Sequence, residues 1–292
     1  MRFGITLPNA GLGDDPTVLA DLARDAEDAG WDGVFVWDAG VPDHDIAVDP
    51  ADRALAPVID PWIGLALVAQ ATERVTLGPM IAPLARRRPW KVAQESVTLD
   101  HLSGGRFVLP VGLGWTPDPW FRCVGEPLDA RARAERLDEA LAIIDGLWHG
   151  DDVSFAGRHF RVEGLRLRPQ PVQRPRIPVW VVGGWRSTRS LQRAARWDGV
   201  IPQRVKSEKP LTGDELRELV ALVVAQRGDE PFDVVIEELI PEHDPDAAAA
   251  SARAWAAAGA TWLLDSAWIY MYETPGKPDA VRRRIRQGPP SR

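Results

Sequence analysis

Short apolar runs recur along the chain and alternate with segments in which apolar residues have helical spacing. Because most of the runs are apolar on both faces, they indicate strands of a parallel sheet that is covered on both sides. Eight runs are predicted to be strands, at Phe3–Leu7, Gly33–Trp37, Val75–Leu77, Phe107–Leu113, Val179–Val182, Gly199–Ile201, Val234–Leu239 and Trp262–Leu264.

The segments between these runs carry helix signals, such as a proline at the start or a glycine after the end. They predict helices over Pro16–Ala29, Pro61–Thr72, Pro89–Ser103, Leu137–Trp148, Ser187–Arg196, Leu216–Val223, Asp246–Ala258 and Lys277–Arg286. Eight strand–helix units in 292 residues favour an α/β fold of the (β/α)8 TIM-barrel type. A doubly wound open sheet is the main alternative, because periodicity alone does not show that a sheet closes.

One segment departs from this alternation. Residues Val153–Leu167 alternate with a period of two and contain Gly157, which predicts a hairpin. Together with the proline-rich connector Pro169–Pro178, the hairpin forms an insertion at approximately 150–177, before the fifth barrel strand. No linker divides the chain, so we expect a single domain over residues 1–292.

Composition narrows the classes of function. The chain is 45% hydrophobic and 26% charged, with a net charge of −7, as is ordinary for a globular protein. Its run Arg86-Arg87-Arg88 is isolated, so nucleic-acid binding is not expected. The sequence has neither an apolar run of membrane-spanning length nor a signal-peptide pattern, so we expect no membrane partner. A single cysteine, Cys123, is consistent with the reducing cytoplasm.

The carboxyl ends of barrel strands carry the reactive groups of this fold. The fifth predicted strand runs into Gly183, Gly184 and Trp185, and Ser187 and Thr188 follow at the start of a helix. Glycines allow close approach of a ligand to the backbone and positive φ, and helix N-termini attract anions. This stretch therefore predicts a phosphate site, with a tight turn and a plain helix cap as the alternative.

Two other strand-end residues could take part in proton transfer. Asp38 follows the second strand and could contact a cofactor or simply cap a turn. His44 follows shortly after and could act as an acid or base, or be a solvated loop residue. The five histidines show no zinc-binding spacing, and the chain contains no serine-nucleophile elbow, P-loop or Rossmann glycine motif.

Several long motifs resemble the bacterial-luciferase-like superfamily of flavin- and deazaflavin-dependent oxidoreductases, and the resemblance covers nearly the whole chain. They are LARRRPWKVAQESVTLDHLSGGRFVLPVGLGW (Leu84–Trp115), RLDEALAIIDGLWHGDDVSFAGRHF (Arg136–Phe160) and RPQPVQRPRIPVWVVGGWRSTRSLQRAARWDGV (Arg168–Val200). The resemblance implies a TIM barrel that holds reduced FMN or coenzyme F420 across its mouth. It also implies a non-prolyl cis peptide after the third strand in many members.

The resemblance also implies where the cofactor lies. Its phosphate would meet Gly183, Gly184, Ser187 and Thr188, and its ring would lie near Asp38, Met80, Ile81, Gly112, Gly114 and Trp115. Luciferase has an arginine after the fourth strand, where this chain has Pro110-Val111, so Arg186 or Arg189 is expected to supply charge instead. Many F420-dependent members keep a histidine near the end of the second strand, where this chain has Asp38-Ala39-Gly40.

The function that follows is a flavin-dependent oxidoreductase acting on a small organic substrate. It would be either a monooxygenase that uses reduced FMN, with a separate flavin reductase as a possible partner, or an F420-dependent hydride-transfer enzyme. A homodimer is expected through helices two and three, over Trp62–Val68 and Trp90–Val97. A non-catalytic flavin-binding barrel is the alternative. A barrel hydrolase would need a cluster of carboxylates or metal ligands that the sequence does not offer.

Overall fold

The parallel strands of the protein form a ring. The structure, a computed structural model, describes residues 1–39, 58–205, 207, 209–228, 230–266 and 278–291. Its strands are β1 (Arg2–Leu7), β2 (Gly33–Val36), β3 (Thr76–Pro79), β4 (Ala82–Pro83), β5 (Leu109–Gly112), β6 (Val153–Ala156), β7 (Arg161–Leu165), β8 (Val179–Trp185), β9 (Gly199–Arg204), β10 (Asp233–Glu238) and β11 (Trp262–Asp265).

The main sheet has nine strands in the order β3-β2-β1-β11-β10-β9-β8-β5-β4, and all its neighbours are parallel. Two backbone bonds bring its ends together: Leu77 N–H donates to Arg106 C=O over 3.1 Å, and Val108 N–H donates to Leu77 C=O over 2.9 Å. β4 is a two-residue continuation of β3 beyond the cis peptide Met80–Ile81. The fold is therefore the predicted TIM barrel and not an open sheet.

Helices cover the outside of this ring. They are α1 (Val18–Asp28), α2 (Pro61–Ala71), α3 (Pro89–Ser103), α4 (Pro119–Arg122), α5 (Ala130–His149), α6 (Thr188–Ala194), α7 (Gly213–Arg227), α8 (Pro245–Ala257) and α9 (Pro278–Arg286), with a 3₁₀ turn at Leu84–Arg86. Local sequence sets many of their ends. Asp60 accepts hydrogen bonds from the N–H groups of Trp62 and Ile63 at the start of α2. Gly104 ends α3 with a φ of 64°.

The segment between α5 and β8 contains the predicted hairpin. Strands β6 and β7 pair antiparallel, and the turn that joins them is fixed to α5 by one carboxylate. Glu139 accepts hydrogen bonds from the N–H groups of Arg158, His159 and Phe160, at 2.8, 3.0 and 2.9 Å. Three charge-assisted bonds to consecutive peptide groups fix the turn on the outside of the barrel.

The surface expected to form a dimer is mostly turned inward. Trp62, Val68 and Val97 are buried inside this chain, so they do not form the exposed apolar patch that the sequence suggested. Ile63 is the exception on α2, with 63% of its surface exposed. The homodimer stays a prediction. No helix in the described ranges combines the length and hydrophobicity that crossing a bilayer requires.

A buried contact holds α9 against the barrel. The carboxyl group of Asp265, at the end of β11, accepts hydrogen bonds from Arg284 Nε at 2.7 Å and Nη2 at 2.6 Å, and both residues are almost completely buried. Loss of hydration outweighs the attraction of Arg284 and raises the pKa of Asp265 to about 7. The folded protein therefore keeps a proton in a pH range where the unfolded chain releases it.

This raised pKa makes the fold more stable in mild acid than in base. The stabilisation is fully present below a pH of about 4 and is lost as the pH rises through about 7. We expect the urea midpoint to decrease between about pH 4 and pH 7, and to decrease less steeply in the Asp265→Asn variant. Equal slopes in the two proteins would assign the dependence to other groups.

Candidate active site

Three aromatic rings form the floor of the barrel mouth. The side chains of Phe35, Trp180 and Trp262 are fully buried inside the barrel, and neighbouring ring centroids lie 5.5, 5.6 and 6.0 Å apart. Tilted rings at such distances leave little room between them. A ligand must therefore bind above this floor, at the carboxyl ends of the strands, which is where TIM barrels have their active sites.

Above the floor, β5, β8 and the segment between β3 and β4 make an apolar wall. A Cβ added at Gly112 would collide with Ile81 Cδ1 and would lie 2.9 Å from Val182 Cγ2. The structure therefore brings together Ile81 and Gly112, two of the residues predicted to flank the cofactor ring. Met80 packs below them in the inner cluster with little exposed surface. Apolar side chains packed around a glycine suit the face of a planar ring.

The glycine pair lies within a strand and not in a loop. β8 extends to Trp185, and Gly183 and Gly184 pair with Pro202 and Gln203 of β9. The prediction that this pair belongs to a loop with positive φ is therefore wrong, since the residue with positive φ is Arg186, at 63°. Glycine is required here because neighbouring side chains leave no room for a Cβ. A Cβ would clash with Val200 at Gly183 and would lie 2.8 Å from Val205 Cγ2 at Gly184.

Two of the N–H groups predicted to bind a phosphate already donate to acceptors within this chain. The N–H of Gly184 donates to Ser190 Oγ over 2.9 Å, and the N–H of Ser187 donates to Gly184 C=O over 2.9 Å. Ser187 makes no side-chain cap bond to α6, which begins at Thr188. The first N–H groups of a helix have no intrahelical acceptor, so the donors that remain belong to the first turn of α6.

Two arginines beside the first turn of α6 are available to a ligand. Arg186 and Arg189 are exposed, and in the part of the chain that the structure describes neither has a carboxylate within 4.0 Å. Nearby arginines are different: Arg193 and Arg196 bind Asp138, and Arg204 binds Glu215. Arg186 also lies over the buried ring of Trp185, with its Cζ 5.6 Å from the ring centroid.

Asp38 forms the centre of an ionic cluster. Its carboxylate accepts bonds from Arg87 Nε at 3.0 Å, Arg87 Nη2 at 2.6 Å, Arg86 Nη2 at 2.9 Å and Trp62 Nε1 at 3.1 Å. Arg86 also binds the main-chain carbonyl of Asp38 at 2.7 Å and lies 3.6 Å from Asp118. The cluster joins the end of β2, the start of α2, the 3₁₀ turn and the start of α4. Every one of these bonds reaches the carboxylate as an acceptor, so Asp38 is already engaged with donors of this chain.

The partners of Asp38 were missed at the sequence level. The run Arg86-Arg87-Arg88 was interpreted only as a feature too isolated for nucleic-acid binding. Its position directly before the helix-starting Pro89, beyond the third predicted strand, was the available signal, because that position lies at the mouth. Nothing in the sequence indicates which carboxylate these arginines would meet.

Trp115 lies at the rim, and the loop before it is held by a further arginine that the sequence did not single out, Arg133. Trp115 is 44% exposed, and Gly114 has a φ of 79°. His44 lies outside the described residues, so its predicted role stays a prediction. Among the residues that are described, no group of three or more His, Cys, Asp or Glu could hold a metal ion.

Comparison with known proteins agrees with this architecture. The luciferase-like monooxygenase family matches residues 1–287. An F420-dependent glucose-6-phosphate dehydrogenase of Nakamurella multipartita is 31% identical over 261 residues, covering 88% of this chain and 73% of the relative. An FMNH2-dependent dimethylsulfone monooxygenase of Pseudomonas putida is 30% identical over 201 residues, covering 63% of this chain and 54% of the relative.

A solved structure shows the same fold over the full length. The F420-dependent tetrahydromethanopterin reductase of Methanopyrus kandleri superimposes with a TM-score of 0.70 at 18% identity, covering 98% of each chain. Its identity is too low to carry more than the fold. The family match over nearly all residues, together with the relative that is 31% identical, goes further: this chain belongs to the luciferase-like monooxygenase family.

Proposed function

We propose that this chain is an oxidoreductase that binds a phosphate-bearing flavin or deazaflavin, either FMN or F420, across the barrel mouth. The observation that carries the proposal is the pair Arg186 and Arg189, which have no carboxylate partner among the described residues and which follow the end of β8 at Trp185. A cationic edge next to an apolar wall matches a ligand that has a planar ring at one end and a phosphate at the other.

The residues present fit such a cofactor. The ring would lie against the wall formed by Ile81, Gly112 and Val182, which pack so closely that residue 112 has no room for a side chain. The phosphate would lie at the first turn of α6, near Arg186 and Arg189. When bound, the cofactor supplies either hydride transfer or the activation of O₂. The protein binds and orients it, and the apolar wall excludes water from one face of the ring.

Asp38 takes a supporting role in this proposal. Its carboxylate, occupied by Arg86, Arg87 and Trp62, joins the end of β2 to the segment after β4 and to the start of α2. We therefore propose it as a positioning residue, and a proton donor is to be sought elsewhere at the mouth. His44 remains the predicted candidate.

Titration of the purified protein tests this function. We expect FMN or F420 to bind with a dissociation constant in the micromolar range or lower, followed by the change in cofactor fluorescence. The preferred cofactor distinguishes the two possible activities. FMN would imply a monooxygenase supplied by a separate flavin reductase, and F420 would imply a hydride-transfer enzyme. Absence of binding of either cofactor at high micromolar concentration would refute the proposal. Binding without turnover on any organic substrate would favour the non-catalytic barrel.

A further inference from the structure

The side of the barrel mouth away from the apolar wall carries polar side chains. Inward-facing and outward-facing side chains alternate along a strand, so the inner positions can be recognised from their neighbours. On β10, Val235 belongs to the inner cluster that contains the aromatic floor, whereas Val234 and Ile236 pack outward. Glu237, two residues after Val235, therefore faces into the barrel at the carboxyl end of this strand.

The same alternation places three more polar side chains on the inner face. They follow by two residues the inward-facing positions of β9, β11 and β1. Strands β9, β10, β11 and β1 are consecutive in the sheet, so the four side chains form a continuous arc. This polar arc consists of Thr6, Gln203, Glu237 and Ser266.

Thr6 shows that the polar arc has hydrogen-bonding capacity that this chain does not use. Its side chain is fully buried, and its Oγ1 has no hydrogen-bond partner. Thr6 pairs with Phe35 of the aromatic floor, so it is the deepest member of the arc. A buried hydroxyl without a partner is destabilising, and a partner from outside the chain would remove that cost.

Glu237 sets the charge that a ligand meets on the polar arc. It is half-buried and is the one charged residue of the four. The adjacent Glu238 faces outward, where its carboxylate accepts from Ser251 Oγ at 2.5 Å and Trp255 Nε1 at 2.8 Å. Glu237 also interacts with a group of this chain. A carboxylate has about four acceptor sites, so such an interaction leaves capacity for a ligand.

A carboxylate accepts hydrogen bonds from hydroxyl and amino groups and repels anions. We propose that the polar arc binds the organic substrate and that Glu237 is the residue that determines its specificity. The substrate class is a neutral or cationic molecule with hydroxyl or amino groups, and carboxylates and phosphate esters are excluded. The inference rests on the proposed function, since a cofactor on the apolar wall leaves the arc to the substrate.

Three probes with one carbon skeleton test this selection. Benzylamine, benzyl alcohol and benzoate differ in charge at a single position, and each is titrated calorimetrically into the protein with its cofactor bound. We expect benzylamine to bind about 10-fold more tightly than benzoate, with benzyl alcohol between them. Glu237→Gln should remove most of this difference. Glu163→Gln, on an exposed side chain of β7, is the matched control and should preserve it.

A second variant keeps the test decisive if Glu237→Gln does not fold. Gln203 is exposed, and Gln203→Glu changes its charge with little change in shape. A second carboxylate on the arc should increase the preference for benzylamine over benzoate about 3-fold, as is typical of an exposed charge pair. Equal affinities of the three probes, no binding of any of them at millimolar concentration, or an unchanged preference in the folded variants would overturn the inference.

Repeating the titrations without cofactor separates this inference from the proposed function. Charge selection by the apoprotein, in a protein that binds neither FMN nor F420, would refute the proposed function and support the arc as a site for this class of molecule. Cofactor binding without charge selection would refute the inference alone.

Discussion

The Asp38→Ala variant is expected to lose about 3–5 kcal/mol of unfolding free energy in the absence of any ligand, as is typical when one partner of a buried ion pair is removed. The reason is the pair of guanidinium groups that face Asp38. Without the carboxylate, Arg86 and Arg87 would remain close together and largely buried, with like charges that repel each other. Urea unfolding of the apoprotein measures the effect.

A matched control exists on the protein surface. Asp21 pairs with Arg24 in an exposed geometry, with both side chains 55% accessible, so Asp21→Ala should change stability by less than about 1 kcal/mol. The comparison also decides between two roles of Asp38. Unchanged apoprotein stability combined with lost turnover would return Asp38 to the role of proton donor that its position after the second strand suggested.

Replacing both Arg186 and Arg189 by alanine is expected to weaken cofactor binding at least about 100-fold while leaving the affinity for the phosphate-free ring unchanged. Each lost charge-assisted hydrogen bond is worth about 1.5–3 kcal/mol, and about 1.4 kcal/mol corresponds to a factor of ten. The phosphate-free ring has no group for these arginines to bind, so its affinity serves as an internal reference. Fluorescence titration with FMN and riboflavin, or with F420 and its ring, measures both constants.

Arg196 supplies the control for this experiment. It is exposed near the end of α6, but its guanidinium already binds Asp138, so Arg196→Ala should leave both affinities unchanged. Salt gives a second check, because added salt should weaken cofactor binding in the unaltered protein more than in the double variant. Equal losses for FMN and riboflavin in the double variant would show that the loop is disturbed and would place the phosphate elsewhere.

Much of the fold could be predicted because its signals are local. The strands at Arg2–Leu7 and Gly33–Val36 are short runs of buried residues, and the hairpin at Val153–Leu165 alternates with the period of a strand. Short elements such as Ala82–Pro83 and Pro119–Arg122 were missed. A two-residue strand exists only because Ala82 and Pro83 find Val111 and Gly112 beside them, and no property of the dipeptide itself reveals that pairing.

The site was predictable in outline and not in its charges. Sequence position placed Ile81 and Gly112 at the carboxyl ends of barrel strands, and the structure brings them into contact. Their role beside a cofactor ring stays a prediction. Sequence position could not distinguish the two reasons for which a glycine is required. At Gly114 the reason is a positive φ, and at Gly184 it is the close approach of the Val205 side chain. Nor could it match Asp38 with Arg86, 48 residues away, or find the carbonyls that Arg133 holds, since such partners are defined only once the ring has closed.

The rings of Phe35, Trp180 and Trp262 have a consequence for the order of events. Because these side chains fill the barrel interior, a ligand enters and leaves through the mouth alone. A ligand seated deeper cannot depart while another sits above it. The order in which two ligands bind and dissociate is therefore set by their depth above these three rings.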